Sequence, residues 1–312
     1  MKMARIKVKN SSTFEDYFNM FLTACKGKGL SQKTLQTYSY HFAAISKHLS
    51  PSAPIDTLFK SDLDSMISSM RDSGLAPNSI RSYTRTLKSF FSWCNMQGIT
   101  KLNIPLYKAE ETVKEVYSDQ ELKVLLKKPN MKTCRFSEYR NWVIINLLVN
   151  NGCRASTVRY MLIKDVDFDN RVIYLRHTKN KKAQVLPLSN TLCSIFSEYL
   201  RIRGGDKDDY LFPNETSGQL TENGLRCTIA DYNRSHGVTR TSIHTFRHTF
   251  ARKYLVDCGG NAFTLQKLLG HSTLDMTKHY CAIFDADIVK NYDQFSPLEQ
   301  LSTKRTAIRM KK

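Results

Sequence analysis

The sequence predicts a mainly α-helical protein with a small antiparallel β-sheet, an α+β arrangement in two domains. Three observations support this fold class. Apolar residues recur every three or four positions along most of the chain, as they do on one face of a helix. Capping residues, prolines and glycines bound these stretches. Two short strand-like segments, 171–175 and 183–186, are joined by a basic turn.

Residues 12–102 are predicted to form a compact unit of four helices, preceded by a basic arm at residues 1–11. Apolar residues in each helix fall on one face; in the second helix they are Leu35, Tyr38, Phe42, Ile45 and Leu49. The start signals are Ser12 with Glu15, Ser31, Ser61 with Asp64, and Pro77. Gly98 is the expected stop of the fourth helix.

A linker at residues 103–116 is expected to lead into a second domain, residues 117–287, followed by a C-terminal segment with a basic tail, 288–312. Ser118 with Glu121 is a capping box for the first helix of this domain. The other predicted elements are an apolar helix over 140–149 ended by Gly152, a short helix over 156–163, the two strands, and mostly helical structure from 189 to 287.

Composition favours a polyanionic partner. The 312 residues include 47 Lys and Arg against 28 Asp and Glu, a net charge of +19. The longest apolar stretch, 142–149, is far too short to span a bilayer, so we expect no membrane partner and a cytoplasmic protein. The eight cysteines form no Cys-x-x-Cys pair and are expected to be reduced thiols.

Several residues of the second domain have the chemistry needed to cleave a phosphodiester without a metal. Arginine pairs two phosphate oxygens, and histidine and lysine transfer protons at the attacking and leaving oxygens. The candidates are Arg154 after a helix bend, Lys179 on the turn, His244 with Arg247 one helical turn later, His271 after Gly270, and Tyr280 as nucleophile. Each alone is more often structural, but their joint occurrence favours a site.

Two further groups have competing interpretations. Arg81, Arg85 and Lys88 share one face of the fourth helix, which is either a solvated surface or a ridge that contacts phosphates. His244 and His248 have the spacing of a helical zinc pair, but Thr245 stands where a metalloprotease motif has glutamate. We therefore expect no metal and no cofactor.

The motifs together resemble the tyrosine recombinase (phage integrase) family. The similar strings are Gly152-Cys153-Arg154, Thr178-Lys179-Asn180, His244-Thr245-Phe246-Arg247-His248-Thr249, Leu269-Gly270-His271-Ser272 and Tyr280, in the family's order and spacing. The N-terminal helical unit also resembles the family's core-site DNA-binding domain, so the similarity covers essentially the whole chain. The resemblance implies a helical core-binding domain plus a tyrosine-recombinase catalytic domain.

The resemblance also implies a mechanism and partners. Tyr280 would form a 3′-phosphotyrosine link, Arg154 and Arg247 would clamp the phosphate, and Lys179 would protonate the leaving 5′ oxygen. His244 would be the general base, and His271 would stabilise the transition state. The partners would be double-stranded DNA with an inverted-repeat core site and, in the synaptic complex, three further copies of a chain that is monomeric in solution. Neither ATP nor a metal is implied.

This sequence departs from the family pattern at two positions. Thr157 replaces an acidic residue that usually supports the first arginine, and Lys181 and Lys182 are alternatives to Lys179 as the acid because the turn lacks the common Gly-Lys-Gly. Two other functions compete with recombination: a type IB topoisomerase-like nicking-closing enzyme, and a catalytically silent DNA-binding protein. Integration or excision of a mobile element and replicon resolution share the same core chemistry.

Overall fold

A computed structural model of the chain describes residues 12–109, 115–176, 184–271, 273–274 and 277. The chain forms two compact units, Met1–Thr112 and Val113–Lys312. The prediction of a mainly helical protein with a small antiparallel sheet is confirmed. Among the described helices, none is both long and apolar enough to cross a membrane. The predicted arm at 1–11 and the segment 288–312 lie outside the described residues.

The first unit contains the helices α1 (Phe14–Gly27), α2 (Gln32–Ile45), α3 (Lys60–Asp72) and α4 (Pro77–Gln97). Aromatic rings fill its core: the rings of Phe18 and Phe42 stack with centroids 4.3 Å apart, and Phe90 on α4 packs 5.3 Å from Phe18. Gly98 ends α4 in the left-handed conformation, φ 74°, as the sequence predicts.

Two predicted helix starts in this unit are wrong. The capping box of α1 is formed by Thr13 and Asp16, one residue later than Ser12 and Glu15. The start of α3 is earlier than Ser61, because the Asp62 carboxylate accepts a hydrogen bond from the backbone N–H of Phe59 at 2.8 Å. In α1 the neighbouring polar residue offers an equivalent cap. In α3 the N-cap is Phe59, whose side chain makes no cap hydrogen bond, so no capping residue marks this start in the sequence.

The second unit contains a run of helices around a small sheet. The helices are α5 (Asp119–Leu125), α6 (Phe136–Asn151), α7 (Ala155–Tyr160), α8 (Asn190–Arg203), α9 (Glu222–Ser235), α10 (Ile243–Arg252) and α11 (Ala262–Leu269). The Ser118–Glu121 capping box of α5 is confirmed. The short helix predicted over 156–163 divides into α7 and a 3-10 turn, Ile163–Asp165.

The sheet is antiparallel with the order β1 (Val166–Asp167), β2 (Val172–Leu175), β3 (Gln184–Pro187). The two-residue strand β1 was not predicted, because so short a strand has no alternating pattern. Ile173 opposite Leu186 faces the core, and Tyr174 opposite Val185 faces outward. Residues 177–183, which join β2 to β3 and include Lys179, Lys181 and Lys182, lie outside the described residues.

The helix α6 is the centre of the second core. Its residues 142–145 and 147–148 are all buried, so the helix is apolar on every side and other elements pack around it. Among them is α10. This packing places the residues after α6 beside the helix that carries Arg247.

Candidate active site

Arg154 is positioned by the turn that ends α6. Gly152 adopts the left-handed conformation with φ 58°, and Arg154 is then the N-cap residue of α7. A Cβ built on Gly152 would lie 2.9 Å from Cγ of Phe250 and closer still to Cδ1. Position 152 therefore needs glycine both for its backbone angle and for the approach of α10.

Arg247 connects three segments of the second unit. Its side chain is buried, with only 5 % exposed. Nη1 donates to the carbonyl of Gly152 at 2.9 Å, and Nη2 donates to the carbonyl of Leu269 at 2.8 Å. Nη2 also lies 2.8 Å from Nε2 of His271. The guanidinium thus ties the turn after α6 to the end of α11 and to His271.

The carboxyl end of α11 is the point where both arginines meet. The last carbonyls of a helix have no partner within it, and they form the negative end of its dipole. The carbonyl of Leu269 accepts from Arg247, and the next carbonyl, that of Gly270, accepts from Nη2 of Arg154 at 3.2 Å. The structure thus brings Arg154, Arg247 and His271 together, as their predicted shared role requires.

His271 follows Gly270, which ends α11 with φ 61°. A guanidinium can only donate hydrogen bonds, so Nε2 of His271 is the acceptor opposite Arg247. The proton then resides on Nδ1, which donates to Oγ1 of Thr277 at 2.8 Å. Thr277 is fully buried, so its hydrogen bond to Nδ1 fixes the orientation of the imidazole ring.

His244 lies on α10, one turn before Arg247, and its side chain is exposed. The position of α10 is held by Tyr117, which the sequence did not identify as part of the site. The Tyr117 ring packs against Phe246 with centroids 4.3 Å apart, and its backbone N–H donates to Oγ1 of Thr249 at 2.9 Å. Both contacts join residues more than a hundred positions apart, which no local pattern reveals.

Two other groups next to the arginines bear on the chemistry. Thr157, the residue in the place of the expected carboxylate, is buried on α7, and the Gly270 carbonyl provides Arg154 with an acceptor. Burial raises the pKa of Cys153 to about 12, although the nearby Arg247 charge opposes this shift. The Cys153 thiol therefore stays protonated at neutral pH and does not compete as a nucleophile.

The structure describes only some of the remaining predicted site residues. Tyr280 lies outside the described residues, as do the three lysines of the β2–β3 connection. Within the described ranges, no group of three or more His, Cys, Asp and Glu side chains could hold a metal ion. In the first unit, Arg85 and Lys88 are exposed on α4 and Arg81 is half-buried.

Gln184, the first residue of β3, is a neighbour of the site that sequence reasoning missed. Its Nε2 donates to the carbonyl of Lys267 at 2.9 Å and to that of Leu268 at 2.6 Å. Four successive carbonyls at the end of α11 therefore accept from Gln184 and the two arginines. A glutamine in a strand has no sequence signature for such a role.

Comparison with known families gives two matches. The model of the "Phage integrase family" matches residues 115–286, and that of the "Phage integrase, N-terminal SAM-like domain" matches residues 16–103. The first match alone covers more than half of the chain.

Curated relatives extend along most of the chain. It is 25 % identical over 282 residues to "Tyrosine recombinase XerD" of Staphylococcus haemolyticus, covering 86 % of this chain and 94 % of that protein. It is 26 % identical over 284 residues to "Tyrosine recombinase XerA" of Pyrococcus horikoshii, covering 89 % and 92 %.

Solved structures share the fold. The Tn1549 transposon integrase in complex with transposon right end DNA has a TM-score of 0.74 and 19 % identity, covering 91 % of this chain and 99 % of that one. A lambda integrase tetramer bound to a Holliday junction has a TM-score of 0.70 and 19 % identity, covering 87 % and 78 %.

Proposed function

Because the chain belongs to the phage integrase family, we propose that it is a site-specific DNA recombinase that cleaves and rejoins strands by transesterification. It is a DNA strand-transfer enzyme. The observation that supports this function most directly is the meeting of Arg154 and Arg247 at the end of α11, beside His271. Two guanidinium groups at one point, oriented by backbone carbonyls, suit the non-bridging oxygens of a phosphodiester.

Strand cleavage is a single transesterification. The phenolic oxygen of Tyr280 attacks the scissile phosphorus and forms a 3′-phosphotyrosine bond, while the bond between phosphorus and the 5′ oxygen breaks. His244 accepts the phenolic proton, and Lys179 gives a proton to the leaving 5′ oxygen. The phosphotyrosine keeps the energy of the phosphodiester, so neither ATP nor a metal is needed. Religation reverses the step with a new 5′-hydroxyl.

The arginines and His271 stabilise the charge that develops in this step. Arg154 and Arg247 bind the two non-bridging oxygens, and His271 hydrogen-bonds the phosphate. In the absence of DNA, Nε2 of His271 accepts from Arg247. A phosphate oxygen only accepts, so His271 hydrogen-bonds the phosphate as the imidazolium, with Nε2–H donating to the phosphate and Nδ1–H donating to Thr277.

The two units have separate tasks in this proposal. Residues 12–102 bind the core site, with Arg81, Arg85 and Lys88 against the backbone, and residues 103–116 link them to the catalytic domain, 117–287. Four protomers assemble on two inverted-repeat sites and exchange strands pairwise through a Holliday junction. The basic net charge of +19 supports the DNA contacts. The protein acts in the cytoplasm at the nucleoid.

A nicked suicide substrate that carries the cognate site tests the proposal. We expect a covalent protein–DNA adduct on a denaturing gel that Tyr280→Phe abolishes. Tyr40→Phe removes the same hydroxyl from an exposed tyrosine of α2 and serves as the matched control, with the adduct retained. Binding without an adduct would favour a silent DNA-binding protein, and plasmid relaxation without recombinant product would favour a topoisomerase.

The biological task of the recombinase is integration or excision of a mobile element, or replicon resolution. These tasks use the same chemistry at the active site and differ in the arrangement of the DNA sites that are recombined. Inverted repeats at the ends of a mobile segment next to the gene support the first task. A single core site shared by copies of one replicon supports the second. Recombination of plasmids that carry the cloned sites in both arrangements, measured with the purified protein, distinguishes them.

A further inference from the structure

The helix α11 is held by a small apolar cluster. Its two buried residues, Leu265 and Leu269, cluster with Ala251 of α10. In the described part of the chain this cluster is separate from the main core of the unit, which contains residues of α6 and of the strands β2 and β3. The position of the α11 end therefore also depends on polar contacts with neighbouring elements.

Gln184 of β3 makes such a contact. Its Nε2 donates to the carbonyls of Lys267 at 2.9 Å and of Leu268 at 2.6 Å. A Cβ built on Gly270 would lie 2.6 Å from Oε1 of Gln184, so the glutamine packs directly over the glycine that ends α11. The strand β3 itself belongs to the main core through the fully buried Leu186. Gln184 thus ties the end of α11 to the main core.

The end of α11 carries one part of the phosphate site, and other elements carry the rest. His271 lies just after α11, whereas Arg154 is the N-cap residue of α7 and Arg247 lies on α10. These segments meet where the two guanidinium groups donate to the carbonyls of Leu269 and Gly270. A displacement of the helix end would therefore move His271 and both carbonyls relative to the arginines.

The contact of Gln184 differs from those of the arginines in its response to DNA. The arginine nitrogens that donate to α11 are also donors that a phosphate attracts. Gln184 is neutral, and its amide meets the two preceding carbonyls of the helix, those of Lys267 and Leu268. It therefore holds the helix end while the guanidinium groups turn toward the phosphate.

We propose that Gln184 is a positioning residue for the phosphate site. By anchoring the carboxyl end of α11 to β3, it keeps His271 and the carbonyls that orient the arginines in place. The inference rests on the proposed recombinase function. A merely structural residue would change the amount of active protein and slow every substrate alike. A residue that acts through the groups that stabilise the phosphate charge affects a charged substrate more than an uncharged one.

Replacement of the scissile phosphate by a methylphosphonate separates these roles. A methyl group takes the place of one non-bridging oxygen, so the reacting group starts without charge and needs less charge stabilisation in the transition state. Single-turnover cleavage of both substrates is measured from the length of the labelled strand for wild type, Gln184→Met and Gln184→Ala. The methionine side chain has nearly the length of glutamine and lacks the donor.

Gln219→Met is the matched control. Gln219 is half-buried like Gln184, and its Nε2 donates to a backbone carbonyl elsewhere in the unit, that of Arg159, at 3.2 Å. The control therefore removes the same kind of hydrogen bond without touching α11. It should match wild type on both substrates.

We expect both Gln184 variants to cleave the phosphodiester about 10- to 100-fold more slowly than wild type, the range that a small misplacement of a catalytic group produces. On the methylphosphonate they should stay within about threefold of the wild-type rate. An equal loss on both substrates, no loss on the phosphodiester, or the same selective loss in Gln219→Met would overturn the inference.

A double-mutant cycle with His271→Ala on the phosphodiester gives a second readout that does not depend on the methylphosphonate. The loss caused by Gln184→Met should be smaller when the imidazole is absent, because one of the groups that Gln184 positions is then missing. Losses that simply add would overturn the inference.

The outcome for wild type tests the underlying function separately. If wild type cleaves neither substrate on its cognate site, the recombinase proposal fails. If wild type cleaves the phosphodiester and the Gln184 variants match it, only the role of Gln184 fails. Thermal melting shows whether the variants fold; if neither does, Gln184 is a purely structural residue and the positioning role is likewise overturned.

Discussion

The contact between Gly152 and Phe250 leads to a quantitative prediction about the turn that carries Arg154. Gly152→Ala places a left-handed alanine against the phenyl ring, with Cβ 2.9 Å from Cγ. The backbone conformation costs about 1 kcal/mol. Overpacking against the ring adds about 1–3 kcal/mol. We therefore expect the free energy of unfolding of the second unit to fall by about 2–4 kcal/mol.

A control in the same unit separates the two contributions. Gly237 has the same left-handed backbone, φ 75°, but a Cβ there would meet nothing within 4 Å. Gly237→Ala should therefore lower the free energy of unfolding by only about 1 kcal/mol. Adding Phe250→Ala to Gly152→Ala removes the ring, so the pair should show a favourable coupling of about 1–3 kcal/mol in a double-mutant cycle.

Urea unfolding followed by tryptophan fluorescence measures these values. The chain has two tryptophans, and Trp142 is buried in the second unit while Trp93 is buried in the first. A Trp93→Phe background makes Trp142 the reporter of the second unit. If Gly152→Ala is no more destabilising than Gly237→Ala, or if the cycle shows no coupling, the steric argument is refuted. Because the Gly152 carbonyl also holds Arg247, cleavage should slow in parallel.

Three further predictions concern charge. Arg247→Lys keeps the charge but loses the two-nitrogen fork, so single-turnover cleavage should fall about 10²- to 10³-fold with DNA affinity retained; an unchanged rate would exclude a clamp. Burial alone would raise the pKa of Glu121, but hydrogen bonds from Ser118 and Arg240 outweigh it and lower the pKa below 4.5. The ionised carboxylate therefore stabilises the fold at pH values above 4.5, and this stabilisation is lost as the pH falls through the lower pKa of the folded state. In urea unfolding at decreasing pH, the free energy of unfolding of Glu121→Gln should fall less than that of wild type, and an equal fall would contradict this role. Arg85→Ala should reduce the slope of log affinity against log salt by about 1, and an unchanged slope would remove it from the phosphate contacts.

Local patterns in the sequence were sufficient for much of the fold. The spacing of Leu35, Tyr38 and Phe42 predicts a helix because one face must be buried, and α2 covers these positions. Helix starts are harder to predict. Thr13 caps α1 in place of Ser12, since adjacent polar residues compete for the same backbone groups, and α3 begins after Phe59, an apolar residue that carries no capping signal. The strand β1 is too short for any periodicity to show.

The site was predictable only in part, and for a physical reason. Arg154, Arg247 and His271 belong to recognisable strings, so the sequence predicts a shared role for them, and the structure brings their side chains together. Gln184 and Tyr117 act through carbonyl, ring and hydroxyl contacts with residues far along the chain. Any polar or aromatic residue can make such contacts, so they leave no local signature, and only the packing of β3 and α10 reveals them.

The backbone around the arginines favours a site already prepared for an anion. The carbonyls of Gly152, Leu269 and Gly270 accept hydrogen bonds from Arg154 or Arg247, so backbone groups with fixed positions orient the two guanidinium groups. Since Arg247 is buried, much of the cost of removing its charge from water is met during folding. The free energy gained on phosphate binding is therefore available to align the phosphodiester, which is the purpose that two fixed cations serve in a transesterification.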